Sequence, residues 1–99
     1  MVIWSEPAIA DLRHIHDYIA EDSPPYAKKV AFDLVARTEA LGQMPRMGRV
    51  VPELNDPDVR ELAEYSYRII YEVRGQDIAV LAVIHSRRLL RRGRVKRAR

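Results

Sequence analysis

Residues 67–84 decide the fold, and they read YRIIYEVRGQDIAVLAVI. In 67–73 the large apolar and aromatic residues occupy every second position, a pattern typical of a strand with one buried face. Residues 74–77 (Arg-Gly-Gln-Asp) favour a turn. Residues 78–84 are apolar throughout, as in a strand covered on both faces. We therefore expect an antiparallel strand pair at the centre of a sheet.

Two shorter segments before this pair add strands to the sheet. Residues 49–54 and 59–63 are suited to strands, and the sequence Asn55-Asp56-Pro57-Asp58 between them is typical of a turn. At the other end of the chain, Val2-Ile3-Trp4 is a short apolar run that favours a first strand.

Two amphipathic helices separate the first strand from the others. Ser5 and Ser23 are helix caps by residue type, each closely followed by a proline, and Gly42 marks the end of the second helix. Apolar residues recur at three- and four-residue spacing between these signals. The sequence predicts an α+β fold, with an N-terminal helical hairpin packed on one face of a mainly antiparallel sheet.

Charge is distributed unevenly along the chain. Residues 87–99 hold eight Lys or Arg and no acid, whereas residues 1–86 carry nine basic and fourteen acidic residues. A basic end of this kind suits an anionic partner, such as nucleic acid, a ribosome or an acidic protein. The alternative is a solvated, disordered terminus with no partner.

Composition excludes several classes of site. The chain has no cysteine, so a disulfide framework and a thiolate metal site are excluded. His14 and His16 stand two positions apart and face different ways on a helix, and the glycines form no phosphate loop. We expect no metal, no cofactor, no membrane contact and a cytoplasmic location, since neither a signal peptide nor a membrane-spanning run is evident.

Several short motifs, taken together, resemble the RelE/ParE-family toxins of type II toxin–antitoxin systems. The resemblance runs from about Ile3 to Leu90 and depends most on the Tyr-Arg-Ile-x-Tyr strand and a closing His-x-Arg-Arg. It implies one RelE/ParE-like toxin domain over residues 1–90 and a flexible basic tail over 91–99. The motifs are Asp11-Leu12, Tyr18-Ile19, Pro45, Gly48-Arg49, Arg60-Glu61-Leu62, Tyr67-Arg68-Ile69-Ile70-Tyr71 and Val83-Ile84-His85-Ser86-Arg87-Arg88.

The resemblance implies two possible mechanisms. RelE-like toxins cleave messenger RNA in the ribosomal A site without a metal, and in that case Arg68, His85 and Arg88 would be the catalytic residues. ParE-like toxins bind DNA gyrase and poison it, and they need no catalytic residues. The structural alternatives are that Arg68 is paired with a carboxylate and that His85 is hydrogen-bonded at a strand end.

The nuclease pattern is incomplete, which favours the ParE-like mechanism. The strand before Tyr67 carries Glu61 and Glu64 where RelE-like enzymes have lysines, and these acids would weaken binding to a polyanion. No aromatic residue follows Leu89. The favoured function is inhibition of DNA gyrase, and the alternative is a ribosome-dependent mRNA endoribonuclease. A second alternative is a non-catalytic protein that binds nucleic acid through its basic tail.

The family implies a cognate antitoxin, in a complex that we expect to hold two copies of each chain. Since the two helices cover one face of the sheet, we expect the other face of 78–84 to be an exposed apolar strip that a partner covers. Tyr67 and Tyr71 are predicted to bury their rings in the core. The residues expected to contact the target or the antitoxin are Arg60, Tyr67, Arg87, Arg88, Lys28 and Lys29.

Overall fold

The computed structural model describes residues 1–91. The predicted tail, 91–99, therefore lies almost wholly outside the described residues. Within 1–91 the helices are α1 (Glu6–Ala20) and α2 (Pro24–Glu39), the latter followed by a 3-10 turn (Ala40–Gly42). The strands are β1 (Val2–Trp4), β2 (Arg49–Val50), β3 (Val59–Glu64), β4 (Tyr67–Arg74) and β5 (Asp77–His85).

The described strands form one sheet in the order β1-β5-β4-β3-β2. β1 runs parallel to β5, and the other neighbours are antiparallel. The prediction of an α+β fold with a mainly antiparallel sheet is confirmed. No helix among the described residues has the length and apolar character that crossing a bilayer requires.

Both helices begin where the sequence predicts. The Ser5 side chain accepts a hydrogen bond from the Ala8 N–H at 3.2 Å, and Ser23 accepts one from the Tyr26 N–H at 3.3 Å. Each serine thus satisfies one of the free N–H groups of a first helical turn. The short connection from Ala20 to Pro24 makes α1 and α2 an antiparallel hairpin.

The hairpin packs on one face of the sheet. Ala8, Val30 and Leu34 from the helices meet inward-facing residues of β4 and β5 in one core cluster. Tyr71 is fully buried there, and Tyr67 packs at the margin with part of its surface exposed.

The opposite face of the sheet is not the exposed apolar strip that the sequence suggested. It has its own core cluster, in which residues from the loop after β2 and Leu90 cover the strands. A register shift opposite Ile70 and Tyr71 turns the consecutive residues Leu81 and Ala82 to this face. Leu81 is only 6% exposed. The expectation was wrong because it left out the loop and Leu90 as covering elements.

Gly48 allows the loop after α2 to pass close to the sheet. Its N–H donates to the Tyr71 hydroxyl at 3.0 Å, and that hydroxyl donates to the Pro45 carbonyl at 2.8 Å. A Cβ atom at Gly48 would lie 2.5 Å from the Glu61 carbonyl oxygen and 2.7 Å from the Tyr71 hydroxyl. Only glycine fits this position without displacing backbone.

Candidate functional site

The Arg68 side chain is held by two carboxylates and a carbonyl on the second face of the sheet. Its Nε and Nη2 donate to Glu61 Oε1 at 3.0 and 2.6 Å, and its Nη1 and Nη2 donate to the two oxygens of Glu53 at 2.8 Å each. Nη1 also donates to the Arg88 carbonyl at 2.8 Å. A guanidinium has five N–H groups, and these five contacts use all of them.

We call Arg68, Glu53 and Glu61 the Arg68 clamp. The Arg68 and Glu61 side chains are 9% and 6% exposed, so they interact with little screening by water. Hydrogen bonds from Arg68, supported by one from the Leu90 N–H, lower the pKa of Glu53 to about 2. Hydrogen bonding to Glu53 raises the pKa of Arg68. Arg49 binds the other oxygen of Glu61 at 2.7 Å, so two arginines balance two carboxylates.

The clamp fixes the C-terminal segment, which we define as residues 86–91. Glu53 Oε2 accepts a hydrogen bond from the Leu90 N–H at 2.8 Å, and Arg68 holds the Arg88 carbonyl. The Leu90 side chain is buried in the second core cluster. The segment is thereby attached to the sheet by main-chain bonds and by one apolar anchor.

A groove opens between α1 and the end of β5. It is lined by polar, aromatic and apolar side chains: Asp11, His14, Ile15, Tyr18, Tyr67, Val83, Ile84, His85 and Arg88. The rings of Tyr67 and His85 meet edge to face with centroids 6.0 Å apart. The lining combines apolar and aromatic side chains with one acid, Asp11, and one cation, Arg88, and this mixture suits an amphipathic segment better than a small molecule.

Asp11 attaches α1 to the floor of the groove. Its Oδ2 accepts a hydrogen bond from the Val83 N–H at 2.9 Å. β1 pairs with β5 only as far as Val80, so this contact satisfies an N–H farther along the edge of β5. The three- and four-residue spacing of apolar residues in α1 gives no indication of this role for Asp11.

The three candidate catalytic residues are divided between two pockets that share Arg88: His85 lines the groove, and Arg68 lines a pocket beside Glu53. His85 and Arg88 line the groove, and His85 Nδ1 accepts the Arg87 N–H at 3.2 Å. Arg68 lies in the clamp and contacts Arg88 through the carbonyl of that residue. The sequence left two roles for Arg68, catalysis and pairing with a carboxylate. In the structure Arg68 is paired with Glu53 and Glu61.

The predicted contact residues differ in their surroundings. Arg87, Arg88 and Lys28 are exposed, and exposed Lys29 pairs with Asp33 at 2.8 Å. Arg60 instead donates to the carbonyls of Pro57 and Gly48 at 2.9 Å each. Its guanidinium supports the loop beside β3.

No group of His, Cys, Asp or Glu within residues 1–91 is arranged to hold a metal ion. Glu53 and Leu90 are the important residues that sequence reasoning missed. Each stands alone in a loop or terminal segment, without periodicity or a motif. The one available signal was Arg68 itself, an arginine within a strand of the sheet, for which a carboxylate partner was the structural alternative.

Comparisons with known proteins agree with this architecture. Residues 2–90 match the family model described as the ParE toxin of the type II toxin–antitoxin system parDE. The toxin RelE2 of Caulobacter vibrioides is 34% identical over 89 residues, which are 89% of this chain and 97% of that protein. A chain of the chromosomal ParDE toxin–antitoxin system from P. aeruginosa matches with a TM-score of 0.70 and 29% identity, covering 85% of this chain and 92% of that one.

The chain belongs to the ParE toxin family of type II toxin–antitoxin systems. The RelE/ParE resemblance read from its motifs is confirmed.

Proposed function

We propose that this chain is a toxin that inhibits DNA gyrase by binding it and does not cleave RNA. The observation that carries the proposal is the Arg68 clamp. Arg68 is the arginine that a RelE-like nuclease would direct at the scissile phosphate, and here two carboxylates and a carbonyl occupy all of its N–H groups.

Charge in the clamp argues in the same direction. Turning Arg68 toward a phosphate would leave Glu53 and Glu61 facing each other without their central cation. Removing one partner of a buried ion pair costs about 3–5 kcal/mol. A phosphate would also approach these carboxylates and be repelled. A gyrase-binding toxin requires no free arginine at this place.

The groove beside α1 is the proposed antitoxin site. Its aromatic and apolar floor and the exposed cation Arg88 suit an acidic amphipathic segment. The structural relative belongs to a ParDE system, which supports an antitoxin partner for this chain as well. The proposed assembly holds two toxins and two antitoxins and acts in the cytoplasm, where gyrase is found.

Two assays run side by side test the mechanism. Purified full-length chain is added to DNA gyrase, and supercoiling of a relaxed plasmid is measured. The same preparation is added to translating ribosomes, and primer extension maps any cleavage of the messenger. We expect inhibited supercoiling and an uncut messenger.

Ribosome-dependent cleavage that disappears in His85→Ala would instead establish the endoribonuclease mechanism. Inhibition that merely follows the affinity of the chain for DNA, and falls steeply with salt, would favour the nucleic-acid-binding alternative.

A further inference from the structure

The C-terminal segment presents one apolar side chain among cations. Leu89 is 82% exposed, although its neighbour Leu90 is only 5% exposed. Arg87, Arg88 and Arg91 are exposed around Leu89. Leu89 is the most exposed large apolar side chain among residues 1–91, and the arginines around it are a residue type enriched in protein–protein interfaces.

The backbone beneath Leu89 is fixed on both sides. Before Leu89, the Arg88 N–H donates to the His85 carbonyl at 2.9 Å and the Arg88 carbonyl accepts from Arg68. After Leu89, the Leu90 N–H donates to Glu53 and the Leu90 side chain is buried. Leu89 therefore projects from a preorganised loop, which lowers the entropy lost on binding.

We infer that Leu89 and its flanking arginines form the docking element for the target, and that the target offers an acidic protein surface with an apolar pocket. The inference rests on the proposed function and names the residues through which it acts. Glu53 and Arg68 are positioning residues, since they hold the loop and do not contact the target themselves.

The chemistry favours a protein over a nucleic acid. A phosphate backbone would engage the arginines and leave Leu89 in water, whereas a protein pocket can bury the leucine while acidic side chains meet the cations. Shape favours the target over the antitoxin. A projecting side chain requires a cavity in its partner, and a peptide segment is better held by the groove beside α1.

The test compares full-length variants in the gyrase supercoiling assay and in growth arrest after induction without antitoxin. Leu89→Ser removes the apolar anchor, Leu89→Met keeps it, and Met44→Ser removes a side chain that is 56% exposed and lies outside the segment. We expect Leu89→Ser to raise the half-inhibitory concentration at least tenfold. Leu89→Met and Met44→Ser should stay within about twofold of the wild type.

Glu53→Gln tests the positioning role. We expect faster amide hydrogen exchange at Leu90 and weaker inhibition, with the strand residues of both core clusters still protected. Unchanged exchange at Leu90 would show that Glu53 does not position the docking element.

Each remaining outcome is decisive. Leu89→Ser that inhibits as well as Met44→Ser overturns the inference while leaving gyrase as the target. If inhibition follows the affinity of the chain for DNA and Leu89→Ser has no effect, the C-terminal segment binds nucleic acid and not a protein, which overturns the inference. If the wild type does not inhibit gyrase but arrests growth, the proposed function fails and the growth comparison still tests Leu89. A wild type without either effect overturns both.

Discussion

Gly48 is the residue at which the α2–β2 loop comes nearest to the sheet. In Gly48→Ala the new methyl group would meet the Glu61 carbonyl and the Tyr71 hydroxyl, so either the loop or Tyr71 must shift and strain their hydrogen bonds. We expect the free energy of unfolding, measured by urea denaturation, to fall by about 1–3 kcal/mol. Gly42→Ala is the matched control because nothing lies within 4 Å of its Cβ position. Equal losses in the two variants would contradict the steric explanation.

Glu53 makes the stability of the protein depend on pH in the acidic range. Its pKa falls from an ordinary 4.5 to about 2 because Arg68 and the Leu90 N–H bind the charged form. A lowered pKa in the folded state contributes stability that is complete above pH 4.5 and is lost as the pH falls toward 2. We expect Glu53→Gln to be less stable than the wild type at pH 7 and to lose less stability across that acid window. If the thermal midpoints of the wild type and Glu53→Gln fall in parallel as the pH is lowered, Glu53 is not the source of the pH dependence.

At the scale of elements, Asp11 joins the first helix to the last strand. Asp11→Ala would leave the Val83 N–H without the acceptor it has at 2.9 Å. We expect a loss of about 1–3 kcal/mol in the free energy of unfolding, with faster amide hydrogen exchange at Val83. Asp17→Ala, in which an exposed carboxylate on the same helix is removed, should leave both measurements nearly unchanged. Normal protection of Val83 in Asp11→Ala would show that other contacts fix this edge.

The elements themselves were largely predictable, because their signals are local. Alternation in β4, the apolar run of β5 and the serine caps of α1 and α2 all lie within a few residues of what they specify. β2 was predicted too long, over 49–54, since the strand ends at Val50. After that residue the chain turns across the second face of the sheet, a path that β-forming residues alone do not reveal.

The candidate site was less predictable, because its contacts are distant in sequence. The alternation in β4 placed Arg68 on the face of the strand opposite its buried aromatic and apolar residues, where a carboxylate partner was one possibility. It could not select Glu53, fifteen positions away, from the other acids. The exposed position of Leu89 next to buried Leu90 likewise follows from the clamp, and the two leucines look alike in the sequence.

At the scale of the whole molecule, Leu90 closes the second face of the sheet. Leu90→Ser would place a hydroxyl among Ile70, Leu81 and their neighbours in the second core cluster. We expect a loss of about 2–4 kcal/mol in the free energy of unfolding and increased binding of an apolar dye. Leu89→Ser is the matched control, since that side chain is 82% exposed and should leave stability unchanged. Similar losses from both substitutions would show that the segment is not anchored as described.

The parallel pairing of β1 with β5 has a consequence for biosynthesis. A ribosome releases Val2–Trp4 long before it makes Ile78–Val80, the residues beside which the first strand must lie. The nascent polypeptide therefore cannot complete its sheet until almost the entire domain has emerged. A product of interrupted translation, ending before β5, would lack both the strand that joins β1 to β4 and the C-terminal segment with its proposed docking element. A cell would meet the folded toxin only after β5 has been made.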